Sequence, residues 1–100
     1  MNIFNTKSVE KLFEAILLLK SKEDCVKFFE DVCTVKELQD MSQRLDVAYQ
    51  LKEGKSYQDI SKNTGASTTT ISRVNRCLMY GNGGYKDILE RLKEAKTDAN

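Results

Sequence analysis

Residues 55–80 combine positive charge with hydroxyl and amide side chains, a mixture suited to nucleic-acid binding. Their cations are Lys55, Lys62, Arg73 and Arg76. Asp59 is their only carboxylate, whereas residues 1–54 hold 8 Lys or Arg against 10 Asp or Glu, and residues 81–100 hold 4 of each. The 10 Ser, Thr and Asn residues of this window can contact phosphates and base edges without a large charge. A polar loop beside a solvated helix fits the composition equally well, so the order of the residues must decide.

The order of the residues matches a helix-turn-helix at about residues 57–78. Gly65 lies where the chain must turn sharply, and glycine adopts positive φ at little cost. Ser61 is small where the two helices should cross closely. Ser67 is placed to cap the second helix, whose N-terminal N–H groups favour an anion such as phosphate. The residues expected to face inward are Ile60, Ile71 and Val74.

The outward positions of this helix pair are the expected DNA contacts. They are Gln58, Lys62, Ser67, Thr68, Thr69, Thr70, Ser72, Arg73 and Arg76. Thr68, Thr69 and Ser72 are expected to touch base edges, by hydroxyl hydrogen bonds or by a threonine methyl against a thymine methyl. The cationic side chains and Gln58 are expected to hold phosphates and so to fix the position of the protein on the duplex.

The sequence predicts six helices, which would position these residues, and the absence of proline favours an all-α fold. The apolar spacing predicts five helices at about Lys7–Lys20, Val35–Glu53, Tyr57–Asn63, Ser67–Tyr80 and Tyr85–Lys96. A short additional helix, the second along the chain, is predicted to begin after a cap at Ser21. Thr34 and Glu37 have the spacing of a capping box at the start of the third helix. Gly54 should end that helix. Residues 81–84, Gly-Asn-Gly-Gly, predict a flexible linker with a sharp change of direction.

Length and composition exclude several functional classes. One hundred residues suit a single domain, 1–100. The absence of histidine excludes His-based catalytic triads and His-ligated zinc, and the carboxylates lie on solvated helix faces with no nucleophile beside them. We therefore expect that the protein is not an enzyme and that it binds no metal and no cofactor. The three cysteines, Cys25, Cys33 and Cys77, are predicted to be free thiols. With no membrane-length apolar stretch and no features of a signal peptide, the expected location is the cytoplasm.

Three segments of the sequence resemble the YerC/YecD branch of the Trp repressor-like proteins. They are residues 54–60 (GKSYQDI), residues 64–78 (TGASTTTISRVNRCL) and residues 80–85 (YGNGGY). The similarity extends from the first helix to the last. It implies a six-helix Trp repressor-like fold and an intertwined homodimer, in which two helix-turn-helix units bind double-stranded DNA.

The resemblance also implies a candidate effector pocket at Thr34, Arg44 and Arg73. In the tryptophan-sensing members, a threonine before the third helix, an arginine within it and an arginine of the recognition helix surround the amino acid. Two positions depart from that pattern, because Val74 replaces a glycine and Cys77 replaces a serine that holds the amino group of the ligand. Tryptophan is therefore not the expected effector. In the alternative interpretation Thr34 caps a helix and the two arginines form salt bridges or contact phosphates.

Two functions remain open at this point. The first is a sequence-specific DNA-binding transcription regulator, a repressor, that acts as a homodimer. The alternative is a helical dimeric protein-interaction module without DNA binding. The exposed cations beside threonines favour DNA. The apolar run Ala15–Leu19 favours a dimer under both hypotheses, because one short chain cannot cover it.

Overall fold

A computed structural model of the protein describes residues 2–99, and six α-helices without strands follow one another along this part of the chain. After a 3₁₀ turn at Ile3–Asn5, the helices are α1 (Lys7–Leu17), α2 (Lys22–Val32), α3 (Val35–Lys52), α4 (Tyr57–Thr64), α5 (Thr68–Tyr80) and α6 (Gly84–Ala99). The predicted all-α, six-helix fold is confirmed. Within the described residues, no helix is long and apolar enough to cross a membrane.

Helix α1 ends three residues earlier than its apolar pattern predicts. The N–H groups of Leu18 and Leu19 donate to carbonyls only three residues back, each at 3.1 Å, which tightens the chain out of the α-helix. The N–H of Lys20 then donates to Asp24 Oδ2 at 3.0 Å, and Ser21 caps α2. The hydrogen bonds at the start of α2 therefore set the end of α1.

The predicted capping box at the start of α3 is confirmed. The N–H of Glu37 donates to Thr34 Oγ1 at 3.1 Å, and the N–H of Thr34 donates to Glu37 Oε1 at 2.9 Å. The pKa of the Glu37 carboxyl is lowered, mainly by the backbone N–H of Thr34 and to a smaller extent by the Thr34 hydroxyl, because both favour the ionised form. At the other end, Gly54 follows α3 with φ +84°, as expected of a C-terminal stop.

The chain divides within α3 into two compact units, Met1–Leu38 and Gln39–Asn100. In the first, no side chain of residues 2–38 is buried. Phe4 and Phe13 stack with their ring centroids 6.2 Å apart, yet both remain exposed, as do Leu17 (83%) and Leu18 (72%). The single domain of residues 1–100 stays a prediction, and its terminal residues Met1 and Asn100 lie outside the described part.

The second unit contains the buried apolar core. It consists of Val47, Ala48, Ile60, Ala66, Ile71, Val74 and Leu89. Leu51 and Tyr85 pack against these residues while remaining partly exposed. Helices α3, α4, α5 and α6 each contribute to this one cluster, so it fixes the position of the predicted helix-turn-helix.

Two positions of the glycine-rich segment between α5 and α6 require glycine. The N–H of Gly81 donates to the Cys77 carbonyl at 2.8 Å, and the N–H of Asp87 donates to the Gly83 carbonyl at 2.8 Å. A Cβ atom on Gly81 would overlap the Cys77 carbonyl oxygen, and Gly83 has φ +88°. The backbone thus needs these two glycines for close approach and for positive φ, beyond the flexible linker that the composition predicts.

We expect Gly81→Ala to lower the free energy of unfolding by about 1–3 kcal/mol, the usual range for forcing an extra methyl group into occupied space. Gly84→Ala is the matched control, because nothing lies within 4 Å of its Cβ position and its φ is ordinary. Alanine there should be neutral or stabilising, since Gly84 begins α6. Urea unfolding followed by circular dichroism measures both. Equal stability of the two variants would contradict the close approach at Gly81.

Candidate nucleic-acid interface

Helices α4 and α5 are joined by a three-residue turn, Gly65–Ser67, whose polar groups bond to residues of α4. Gly65 has φ +76°, and its N–H donates to the Ser61 carbonyl at 2.8 Å. The hydroxyl of Ser61 donates to the Ala66 carbonyl at 2.8 Å. The Thr64 hydroxyl accepts from the N–H of Ala66 at 3.1 Å and donates to the Ile60 carbonyl at 2.7 Å. These bonds fix the angle at which α5 leaves α4.

The inward side of this pair is as the sequence predicts. Ile60 and Ile71 are fully buried, and Val74 is 1% exposed. Ile71 and Val74 lie three residues apart on α5, so their burial turns one face of the helix toward the core. The opposite face of α5 is therefore in solvent.

An open groove runs along this solvent face of α5. The residues that line it, which we call the α5 groove, are Thr68, Thr69, Ser72, Arg73, Asn75, Arg76 and Tyr80. Each is either cationic or uncharged. Thr69, Ser72, Arg76 and Tyr80 follow one another at intervals of three or four residues, so they form one stripe along the helix. The groove thus combines hydroxyls near the start of α5 with guanidinium groups one to two turns later.

The predicted contact residues fall into three groups in the structure. Five of them line the α5 groove, namely Thr68, Thr69, Ser72, Arg73 and Arg76. Gln58 and Lys62 are exposed on α4. Ser67 and Thr70 bond to each other: Ser67 Oγ accepts from the N–H of Thr70 at 3.1 Å and donates to Thr70 Oγ1 at 3.1 Å. Ser67 is therefore the N-cap of α5, as predicted.

Two residues of the α5 groove are absent from the predicted contacts. Asn75 and Tyr80 line it beside the arginines, and Tyr80 is 82% exposed. The signal for Tyr80 was present in the sequence, because it lies four residues after Arg76 and eleven after Thr69 on one helix. Asn75 follows Arg73 by two residues and carries no comparable signal.

The three residues of the candidate effector pocket lie in different surroundings. Thr34 belongs to the first unit, where its hydroxyl is part of the capping box. Arg44 lies half-buried on α3, and Arg73 lines the α5 groove. Val74 points into the core rather than out of it. The pocket itself stays a prediction.

Comparison with known proteins identifies the family. The Trp repressor protein family model matches residues 7–93. The chain belongs to the Trp repressor family. This is a family of DNA-binding regulators, and the match spans all six helices of the chain up to Lys93.

Relatives of the Trp repressor family match nearly the whole chain. The uncharacterized protein YerC of Bacillus subtilis (strain 168) is 51% identical over 94 residues, which are 94% of this chain and 90% of YerC. The structure of a TrpR-like protein from Eubacterium eligens ATCC 27750 is 54% identical, with a TM-score of 0.89 over 93% of this chain and 96% of that one. A Trp repressor candidate from Staphylococcus aureus is 47% identical, with a TM-score of 0.87 over 93% and 95% of the two chains.

We expect Ser67→Ala to lower the free energy of unfolding by about 1 kcal/mol, because it removes the N-cap of α5. Ser72→Ala is the control on the same helix, since Ser72 is exposed. Its effect should stay within about 0.5 kcal/mol, as is usual for surface substitutions. Thermal unfolding of both variants measures the difference. A Ser67→Ala protein as stable as Ser72→Ala would show that the cap contributes nothing.

Proposed function

We propose that this member of the Trp repressor family is a sequence-specific DNA-binding transcription regulator, a repressor, that binds a palindromic site as a homodimer. The α5 groove is the observation that carries this proposal. It presents hydroxyl, amide and guanidinium groups on one open helix face, and these are the groups that contact bases and phosphates. Such a role places the protein in the cytoplasm with DNA and requires no catalytic residue, metal or cofactor.

The two ends of the α5 groove have different roles in this proposal. The N-terminal part of α5 lies nearest the bases, where Thr68, Thr69 and Ser72 touch base edges in the major groove. Arg73 and Arg76 hold phosphates. Contacts from outside the groove come from Gln58 and Lys62 on α4 and from the cap residues Ser67 and Thr70, near the free N–H groups of α5.

A homodimer supplies what one chain lacks. Large apolar side chains are exposed in both units, among them Leu17 and Leu18 at the end of α1, and Met41 and Leu45 on α3. Exposed apolar area of this extent marks an interface. Two-fold symmetry would also place two copies of α5 about 34–36 Å apart, the distance between successive major grooves on one side of DNA.

Sedimentation velocity at micromolar concentration should therefore show a dimer. The far-ultraviolet circular dichroism signal should fall together with dissociation on dilution, because a lone chain leaves its apolar faces uncovered. A stable, folded monomer under these conditions would contradict the homodimer.

Selection of bound sequences from random duplex DNA, at a stated salt concentration, should yield a palindrome. Arg76→Ala should then weaken binding to all duplexes and reduce the salt dependence by about one unit per lost phosphate contact. Thr69→Ala should instead relax the base preference at one position of each half-site. Arg91→Ala is the control, because Arg91 is exposed on α6, outside the α5 groove.

The alternative function is a dimeric protein-interaction module, which the exposed apolar side chains favour. A folded dimer that binds no duplex more tightly than a composition-matched control at low salt would exclude the DNA-binding role. The interaction module would then take its place.

We expect L-tryptophan to change neither thermal stability nor DNA affinity. The Val74 side chain replaces the glycine of the tryptophan-sensing members, and Cys77 replaces their serine. A ligand at 100 times its dissociation constant would stabilise the protein by about 2.7 kcal/mol, which calorimetry readily detects. Tryptophan-dependent stabilisation would show that the effector pocket at Thr34, Arg44 and Arg73 is functional.

A further inference from the structure

A buried glutamine on α3 connects this helix to α4. Gln50 is 7% exposed. Its Oε1 accepts from Asn63 Nδ2 at 3.0 Å, and its Nε2 donates to Asp46 Oδ1 at 3.3 Å. Both ends of the buried amide therefore have partners, one on α4 and one a turn earlier on α3.

A second glutamine of α3 holds the next residue of α4. Gln43 Nε2 donates to the Thr64 carbonyl at 3.1 Å. Gln43 and Gln50 are seven residues apart, which places them on one face of α3, two turns from each other. Their partners Asn63 and Thr64 are the last two residues of α4. We call Gln43 and Gln50 the glutamine clamp.

Hydrogen bonds restrict orientation in a way that apolar contacts do not. Burial of apolar surface has little directional preference, so apolar contacts alone restrict the rotation of one helix against another less than hydrogen bonds do. A typical hydrogen bond adds only about 0.5–1.5 kcal/mol of stability, but a buried amide left without a partner costs about 1–3 kcal/mol. The clamp therefore disfavours every orientation of α4 on α3 except one that keeps both bonds.

We propose that Gln43 and Gln50 are positioning residues for DNA binding, which set the orientation of the α4–α5 pair on α3. The inference rests on the proposed function. The clamp holds the residues that lead directly into the Gly65–Ser67 turn. A change in its bonds thus changes the direction of α5 and the distance between the two copies of α5 in a dimer. The glutamine amides bond within the protein and do not contact DNA in this account.

The test uses Gln50→Met and Gln43→Met, which keep side-chain length and remove the hydrogen-bonding groups. Gln39→Met is the matched control, because Gln39 is exposed on the same helix. Residual dipolar couplings of backbone amides in the full-length protein report the orientation of α4 and α5 relative to the part of α3 from Gln39 onward. Binding to the selected palindrome is measured at a temperature where circular dichroism shows each variant to be fully folded.

We expect both clamp variants to change the orientation of α4 and α5 and to lose about tenfold in affinity, the equivalent of one hydrogen bond of about 1.4 kcal/mol. The control should change neither. A purely stabilising role would lower the melting temperature without altering the affinity of the folded protein. If Gln50→Met does not fold, the orientation and DNA affinity of the Gln43→Met variant, whose site is partly exposed, test the proposal. Unchanged orientation and affinity in the folded clamp variants would overturn the proposal.

The same experiments distinguish a failure of the proposed DNA-binding function from a failure of the clamp proposal. If the wild-type dimer binds no duplex, the DNA role of the clamp fails with it. The dipolar couplings of the same variants would still show whether Gln43 and Gln50 set the orientation of the helix pair.

Discussion

The burial of Ile60, Ile71 and Val74 where α4 crosses α5 fixes the rest of this structure. These side chains meet Val47 and Ala48 of α3, so one small cluster holds the helix pair and its support together. In a core of so few residues, each methyl group counts, because closely packed interiors compensate poorly for a lost volume. Hydrogen bonds that join Gly65 and Ala66 to Ser61 and Thr64 hold the short turn that this contact requires against α4.

The composition of the α5 groove follows from the same contact. Once Ile71 and Val74 point inward, the helical period decides which residues point outward, and these are the hydroxyl and guanidinium side chains. The groove needs no long loop or inserted element, since the side chains stand on a capped helix held by a core. Rigid support of this kind is what precise recognition by a helix requires.

Much of this architecture could be predicted from the sequence. Six helices, the capping box at Thr34, the cap at Ser67 and the inward position of Ile60 all depend on local patterns of a few residues. These patterns have a stereochemical cause, so they hold in the structure. Five of the groove residues followed from the same periodicity.

The remaining features depend on contacts between distant residues. A glutamine such as Gln50 is usually exposed, and nothing in the local sequence places it opposite Asn63, thirteen residues later. The early end of α1 depends on Asp24 of the next helix accepting from the N–H of Lys20. Gly81 was recognisable as a break, but its close approach to the Cys77 carbonyl requires the three-dimensional path of the chain.

The shared core of α5 and α6 also has a consequence for movements of α6. A hinge of free glycines would let α6 swing while α5 stayed still. Here the backbone bonds of Gly81 and Gly83 belong to the end of α5 and the start of α6, and Leu89 of α6 is buried in the same core as Ile71 of α5. Because the two helices share this core, a displacement of α6 would disturb the packing that holds α5. By thermodynamic reciprocity, a molecule that favoured one position of α6 would alter the affinity at the α5 groove, and a molecule in the groove would alter the affinity at α6 by the same factor.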